Sequence, residues 1–132
     1  MDLIFVDTSA WYALANEKDI NHALARQFSA ENRRLVTTNF VIDETITLTL
    51  IRAGYRQALS VGEQLWNGQL ASIIWVTRDD ERVAWDLFKR YDDKAFSFTD
   101  CTSFAVMMRL GLMCVFTFDT DFAQTGQFTQ VP

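Results

Sequence analysis

One proline, one histidine and two cysteines in 132 residues each remove a class of protein from consideration. Cys101 and Cys114 are too few for a disulfide framework, and both lie in apolar stretches, so they read as reduced core thiols. With His22 the sole histidine, no His/Cys set for zinc or copper can be assembled. Low proline beside 49% hydrophobic and 14% aromatic residues, 11 of them Phe and 4 Trp, excludes a disordered chain and supplies a well-packed core. No apolar run approaches the roughly 18 residues of a membrane span. "MDLIFVDTS" carries no positively charged leader, so the expectation is a cytoplasmic protein. Cations are also in deficit. A net charge of -5 argues against broad nonspecific binding of nucleic acid, which is met by an excess of Lys and Arg. The objection becomes a local one if acids hold metal: two divalent ions bring four positive charges and take -5 to -1.

What remains is a pattern of short apolar runs alternating with longer segments of helical period. At this length a single domain spanning 1–132 is expected. "LIFV" at 3–6 reads as a buried strand, with Asp7, Thr8 or Ser9 placed to cap the helix that "AWYALAN" begins. "INHALARQFSAENRR" has Ile20, Ala23, Leu24 and Phe28 on one helical face. "LVT" at 35–37 is a short strand. The β-branched stretch from Thr38 to Ala53 is too long for a typical strand and stops at Gly54, so it reads as helix, followed by a second helix over "YRQALSVGEQLWNGQ". "SIIWVT" at 72–77 is the clearest strand. The helix "DDERVAWDLFKRY" has an acidic first turn that suits its dipole. "TDCTSFAVMMRLG" reads as a helix closed by Gly111, then "CVFTF" and "FTQV" as strands. Such alternation predicts an α/β fold: βαβ units, a mostly parallel central sheet and helices on both faces. Ligands in such folds sit beyond the carboxyl ends of the strands, where Asp7 and Asp119 fall.

Four acids stand apart from ordinary surface charge because each borders apolar sequence: Asp7 in "LIFVD", Glu44 in "NFVIDET", Asp100 in "FSFTDC" and Asp119 in "VFTFD". Such a carboxylate is costly to ionise unless paired, hydrogen-bonded or metal-bound. Taken singly, each has a rival reading as a helix cap or turn residue. Taken together, four oxygen ligands without four matching cations point to Mg²⁺ or Mn²⁺, and a magnesium site with open positions is one that also holds phosphate. The implied chemistry is phosphodiester hydrolysis with a carboxylate available as general base.

In order along the chain, "FVDTSAW", "TTNFVIDET", "FSFTDCTSFAVM" and "VFTFDTDF" resemble the PIN-domain nucleases, especially the VapC-type toxins of prokaryotic toxin–antitoxin pairs. The resemblance covers nearly the whole chain. It implies a three-layer α/β/α PIN-like domain, an endoribonuclease dependent on Mg²⁺ or Mn²⁺, an RNA substrate, a small antitoxin partner and frequent homodimers. Position by position, it carries the family's metal-binding acids onto Asp7, Glu44, Asp100 and Asp119, and an additional acid onto Asp121. Ser9 matches a small polar residue after the first Asp, and Thr117 a hydroxyl that orders the site. Asp121 has the rival reading of a turn residue in "DTDF", while Asp43 points about 100° away from Glu44 on a helix and reads as peripheral.

For substrate grip the candidates are Arg33 and Arg34, and Arg52 and Arg56 around the Gly54 turn, against a reading of each as solvated surface charge. Trp11 and Tyr12 could stack on a base, with Trp11 better placed in the core or a dimer interface. His22 is remote from the acids and reads as a surface or capping residue. A haloacid-dehalogenase-like phosphatase would need an Asp where Ser9 stands, and a receiver domain would need a lysine after Lys94, which the chain lacks. The rivals that survive are a noncatalytic PIN-like module binding RNA or protein and a stand-alone RNA-processing nuclease.

Overall fold

Strands that are apolar on both faces must be covered on both faces, and the short runs of this chain pair accordingly. The computed structural model describes residues 3–31 and 33–132. Strands β1 (Leu3–Val6), β2 (Arg34–Thr38), β3 (Ser72–Ile74), β4 (Cys114–Phe116) and β5 (Thr129–Val131) form one sheet in the order β3-β2-β1-β4-β5. Every pairing is parallel. The connections carry helices α1 (Thr8–Ala15), α2 (His22–Ala30), α3 (Asn39–Ala53), α4 (Tyr55–Trp66), α5 (Arg78–Arg90), α6 (Phe98–Leu110) and α7 (Asp121–Gln124). Right-handed crossovers put α1 to α4 on one face and α5 to α7 on the other, so the fold is a three-layer α/β/α sandwich. Phe5, Val6, Val36, Val115 and Phe116 fill the sheet layer, and Phe104, Phe122 and Phe128 form an aromatic cluster beneath it.

Two features of this topology place a site. The chain runs outward from β1 through β2 to β3, then returns to lay β4 on the other side of β1. The carboxyl ends of β1 and β4 therefore form the point where strand order reverses, where open α/β sheets leave a crevice. The second feature is the left-handed Gly111 (φ 67°), which ends α6 where a side chain would be strained and turns the chain directly into β4.

The elements differ from expectation at their edges. Strand β3 is three residues, because only Ser72–Ile74 has a partner at the sheet edge and Val76 instead turns to donate its N–H to Asn39 Oδ1. The expected helix over 20–34 is shorter: α2 begins after a turn in which Asp19 Oδ1 caps the N–H of Asn21, and Arg34 is already in β2. Position 32 lies outside the described residues, as do Met1 and Asp2 of "MDLIFVDTS". Helix α6 starts at Phe98, one residue before the expected start, because Ser97 supplies its cap. The short α7 over "DFAQ" was not foreseen; it is anchored by the fully buried Phe122.

Candidate active site

The crevice at the strand-order reversal is a cleft of about 630 Å³ whose lining includes Asp7, Thr8, Ser9, Glu44, Asp100 and Asp119. The structure therefore brings the four acids singled out in the sequence to one place, from β1, α3, α6 and the end of β4. Asp7 occupies the N-cap position of α1, yet its side chain makes no capping bond. It is 3% exposed. One oxygen, Oδ2, accepts from Thr117 Oγ1 at 3.1 Å, while Oδ1 is buried with no partner. Burial, reinforced by the charges of Glu44 and Asp119 and only partly offset by hydrogen bonds from the Thr8 backbone and Thr117, pushes the Asp7 carboxyl up to about 7.

Asp100 arrives by a different local device. Ser97 Oγ accepts the N–H of Asp100, and Asp100 Oδ2 accepts the N–H of Ser97, a reciprocal capping box that fixes the carboxylate at the mouth of α6. Burial, then the charge of Asp7 and contact with Asp121, raises its carboxyl above the usual range. Asp121 is raised in turn, by burial first and by the nearby Asp119, while its contact with Asp100 works the other way. Cys101 is fully buried behind Asp100, its thiol pushed up to about 11 by burial and by that carboxylate.

Hydroxyl groups order the rest. Thr117 Oγ1 contacts Ser9 Oγ at 2.9 Å and accepts the N–H of Asp119, while Ser9 Oγ accepts the N–H of Phe118. Ser9 and Thr117 thus lace the β1–α1 turn to the β4 exit. Thr8 Oγ1 donates to Glu44 Oε1 at 2.6 Å. Asp119 is exposed and accepts the N–H of Asp121 through Oδ1, so it is a turn residue and a cleft residue at once.

Other singled-out residues fall elsewhere. Asp43 is exposed and absent from the cleft lining. Arg33 pairs with Glu31 and stacks on Phe28, and Arg34 opposite Leu3 opens β2, so both stand at the amino end of the sheet, away from the cleft. Arg56 is exposed on α4 and does not line the cleft; Arg52 does. Trp11 is core, its Nε1 donating to Thr37 Oγ1. His22 Nδ1 donates to the Ala13 carbonyl and ties α2 to α1. Cleft residues that sequence reasoning did not assign to a site are Thr8, read only as a possible helix cap, and Asp19, Asn21, Leu48, Phe118 and Thr120. Leu48 follows Glu44 by one helical turn, a signal that was available; Thr8 reaches Glu44 across 36 residues, for which no local signal exists.

Could these residues hold a cation? Among the described residues no three acids converge tightly enough to chelate an ion as they stand. The donor set nevertheless fits a hard divalent ion: carboxylate oxygens only, no nitrogen or sulfur among them, and an orphaned buried oxygen on Asp7. Among the described residues, none of Asp7, Glu44, Asp100, Asp119 and Asp121 has an ion-pair partner.

Comparison with known proteins gives a consistent picture. A family model described as PIN domain matches residues 4–127. The 23S rRNA-specific endonuclease VapC20 of Mycobacterium tuberculosis is 39% identical over 125 residues, covering 94% of this chain and 95% of that protein. A VapC ribonuclease of Archaeoglobus fulgidus is 29% identical over 124 residues, 89% of this chain and 78% of its own. The crystal structure of M. tuberculosis VapC20, described as a sarcin–ricin loop cleaving toxin, superposes with a TM-score of 0.90 at 37% identity, covering 97% of this chain and 98% of that one. FitAcB from Neisseria gonorrhoeae shares the fold, with a TM-score of 0.70 at 13% identity over 98% of this chain and 96% of its own.

Proposed function

The chain belongs to the PIN-domain family, and from that membership we propose that it is an endoribonuclease dependent on Mg²⁺ or Mn²⁺, the toxin of a toxin–antitoxin pair, acting in the cytoplasm on a structured loop of 23S ribosomal RNA. The observation that carries the reading is the cluster of carboxylates at the strand-order reversal, with a buried Asp7 oxygen left unpartnered and, among the described residues, no ion pair to any of these acids. The proposed substrate is supported by the 23S rRNA specificity of VapC20, which is similar over nearly the whole chain. PIN-domain nucleases generally use divalent metals; the choice of Mg²⁺ or Mn²⁺ rests on the oxygen-only donors.

A bound divalent ion supplies Lewis acidity at the phosphodiester and positive charge against which neighbouring carboxylates can all ionise. Asp7, Glu44, Asp100 and Asp119 would hold it, with Asp121 as a fifth acid. Thr117 fixes one oxygen of Asp7 and leaves the other for the ion. Thr8 holds Glu44, and the capping box holds Asp100, so neither has to be ordered when substrate arrives. A carboxylate not fully engaged by the ion would serve as the general base toward the attacking water.

Purified protein incubated with 23S rRNA and Mg²⁺ or Mn²⁺ should cut it, and EDTA or Asp100→Asn should stop the cutting. Cleavage that persists in both, or wild-type protein that cuts in neither metal, overturns the proposal. Thr8→Val should lower kcat about tenfold with the fold intact, the effect of losing one hydrogen bond to a charged group, and Thr8→Ser should retain activity. Stopped-time kinetics and a melting curve on both variants check this.

The proposed protein partners are a small antitoxin and a second copy of the chain. Their support is apolar surface left uncovered, with Ile51 76%, Trp75 61% and Trp85 52% exposed. Size-exclusion chromatography with and without a co-expressed antitoxin measures both associations.

A further inference from the structure

The cleft has a charge problem that the carboxylates cannot solve. Asp7, Asp19, Glu44, Asp100 and Asp119 line it, and among the described residues the only basic side chain on its wall is Arg52. Arg52 lies eight residues after Glu44 on α3, with Leu48 midway, so the three share the face of the helix that looks into the cleft. Its guanidinium sits over the ring of Tyr12 at 5.4 Å, and among the described residues it makes no ion pair. Tyr12 is itself held: buried at 8% exposure, its hydroxyl accepts from Asn16 Nδ2 at 2.8 Å.

Arg52 also lines a second cavity, of about 640 Å³, with Asn16, Lys18 and Gln57 among its walls. The two cavities meet at this one residue. Beyond it the wall changes character, from five acids to amides and a lysine, with Glu17 the one acid among the described residues. A strand leaving the carboxylate cleft therefore meets its first fixed cation at Arg52, then amide donors and Lys18.

Resting on the ribonuclease reading above, we propose that Arg52, seated on Tyr12, binds a backbone phosphate of the RNA flanking the scissile bond, and that the RNA strand continues over the carboxyl ends of α1 and α3 into the cavity of Asn16, Lys18 and Gln57. The planar fork of arginine suits a phosphodiester's two free oxygens, and stacking on a held ring reduces the freedom lost on binding. Arg52 is thus a positioning residue, outside the chemistry.

The test uses a labelled stem–loop RNA bearing the sarcin–ricin sequence, bound to the Asp100→Asn protein so that no turnover intrudes. Adding Arg52→Ala should weaken binding about tenfold and lower the salt dependence by about one phosphate contact, while Arg52→Lys recovers only part of the loss. Arg34→Ala removes the same charge from the far end of the sheet and should leave the dissociation constant within about twofold. In the active protein, Arg52→Ala should raise KM about tenfold with kcat nearly unchanged. Loss of binding no larger for Arg52→Ala than for Arg34→Ala, or a fall confined to kcat, overturns the subsite. Failure of the ribonuclease reading shows separately, as wild-type protein that cuts no RNA in either metal.

Discussion

Asp7→Asn is expected to abolish RNA cleavage, by about a thousandfold or more, and to make the metal-free protein more stable. The first effect is the several kcal/mol that losing one of the ligands in the proposed metal site would remove from the transition state. The second comes from the electrostatics of the cleft when metal is withheld by EDTA. Asp7 is 3% exposed, has one oxygen without a partner and faces Glu44 and Asp119, so ionising it in the folded chain is opposed by burial first and by like charge second. Its carboxyl rises from 3.8 to about 7, which corresponds to about 4 kcal/mol of strain against the charged form at high pH. An asparagine avoids the charge but leaves a buried amide, so a gain of roughly 2 kcal/mol is expected at pH 8 in EDTA. The sign with pH follows from linkage. The folded chain binds this proton more tightly than the unfolded one, so the stability it contributes is full below about 3.8 and is lost as pH rises towards 7. Wild-type protein in EDTA should therefore melt at falling temperature over that window, and Asp7→Asn should fall less steeply. Adding Mg²⁺ or Mn²⁺ should restore the wild type and do little for the variant. Equal melting curves for both proteins at pH 8 in EDTA would contradict the account, whatever happens to activity.

The parts of the fold that sequence made plain are those set by local chemistry. "LIFV" and "CVFTF" are apolar on both faces and became central strands β1 and β4; Gly54 and Gly111 ended α3 and α6 with positive φ. "SIIWVT" was expected to be the best strand and is instead a three-residue edge, because extent of pairing depends on the neighbour and β2 offers partners only to Ser72–Ile74. The meeting of the four acids could be anticipated only from their common place at element junctions and from the resemblance. Their spacing says nothing about it, since Asp7 and Asp119 become neighbours through the return of β4 beside β1. Among the arginines, sequence offered no way to separate Arg34 from Arg52. Parallel register does: it pairs Arg34 with Leu3, at the end of β1 remote from Asp7.

A buried aspartate within a capping box occurs twice among the described residues, and the two should respond to the same substitution with opposite sign. Thr77 and Asp80 at the start of α5 exchange hydrogen bonds just as Ser97 and Asp100 do at the start of α6. Sequence alone ranks them equally as caps. The difference is tertiary: Arg109 on α6 reaches back to Asp80 with two bonds of 2.9 Å, whereas Asp100 faces Asp7 and Asp121. For Asp80, burial alone would raise the carboxyl, but the Arg109 guanidinium and the Thr77 bonds hold it below the usual range. Its contribution to stability is therefore present above the ordinary carboxylate range and is lost as pH falls through its lowered value. Asp100 is raised, so it disfavours the fold increasingly as pH climbs above the ordinary range. Asp80→Asn should thus cost about 1–2 kcal/mol at pH 7.5, a discount on a fully buried pair because the Arg109 side chain is 39% exposed. Asp100→Asn should stabilise by about 1 kcal/mol or more under the same metal-free conditions, since it removes the cost of either burying an unpaired charge or taking up a proton on folding, while the amide oxygen keeps the cap. Urea melts in EDTA at pH 7.5 and pH 4 separate the two: the variants should lie on opposite sides of the wild type at the higher pH and draw towards it at the lower. If both destabilise alike at pH 7.5, Asp100 is a structural cap like Asp80, and its assignment to the proposed metal site fails.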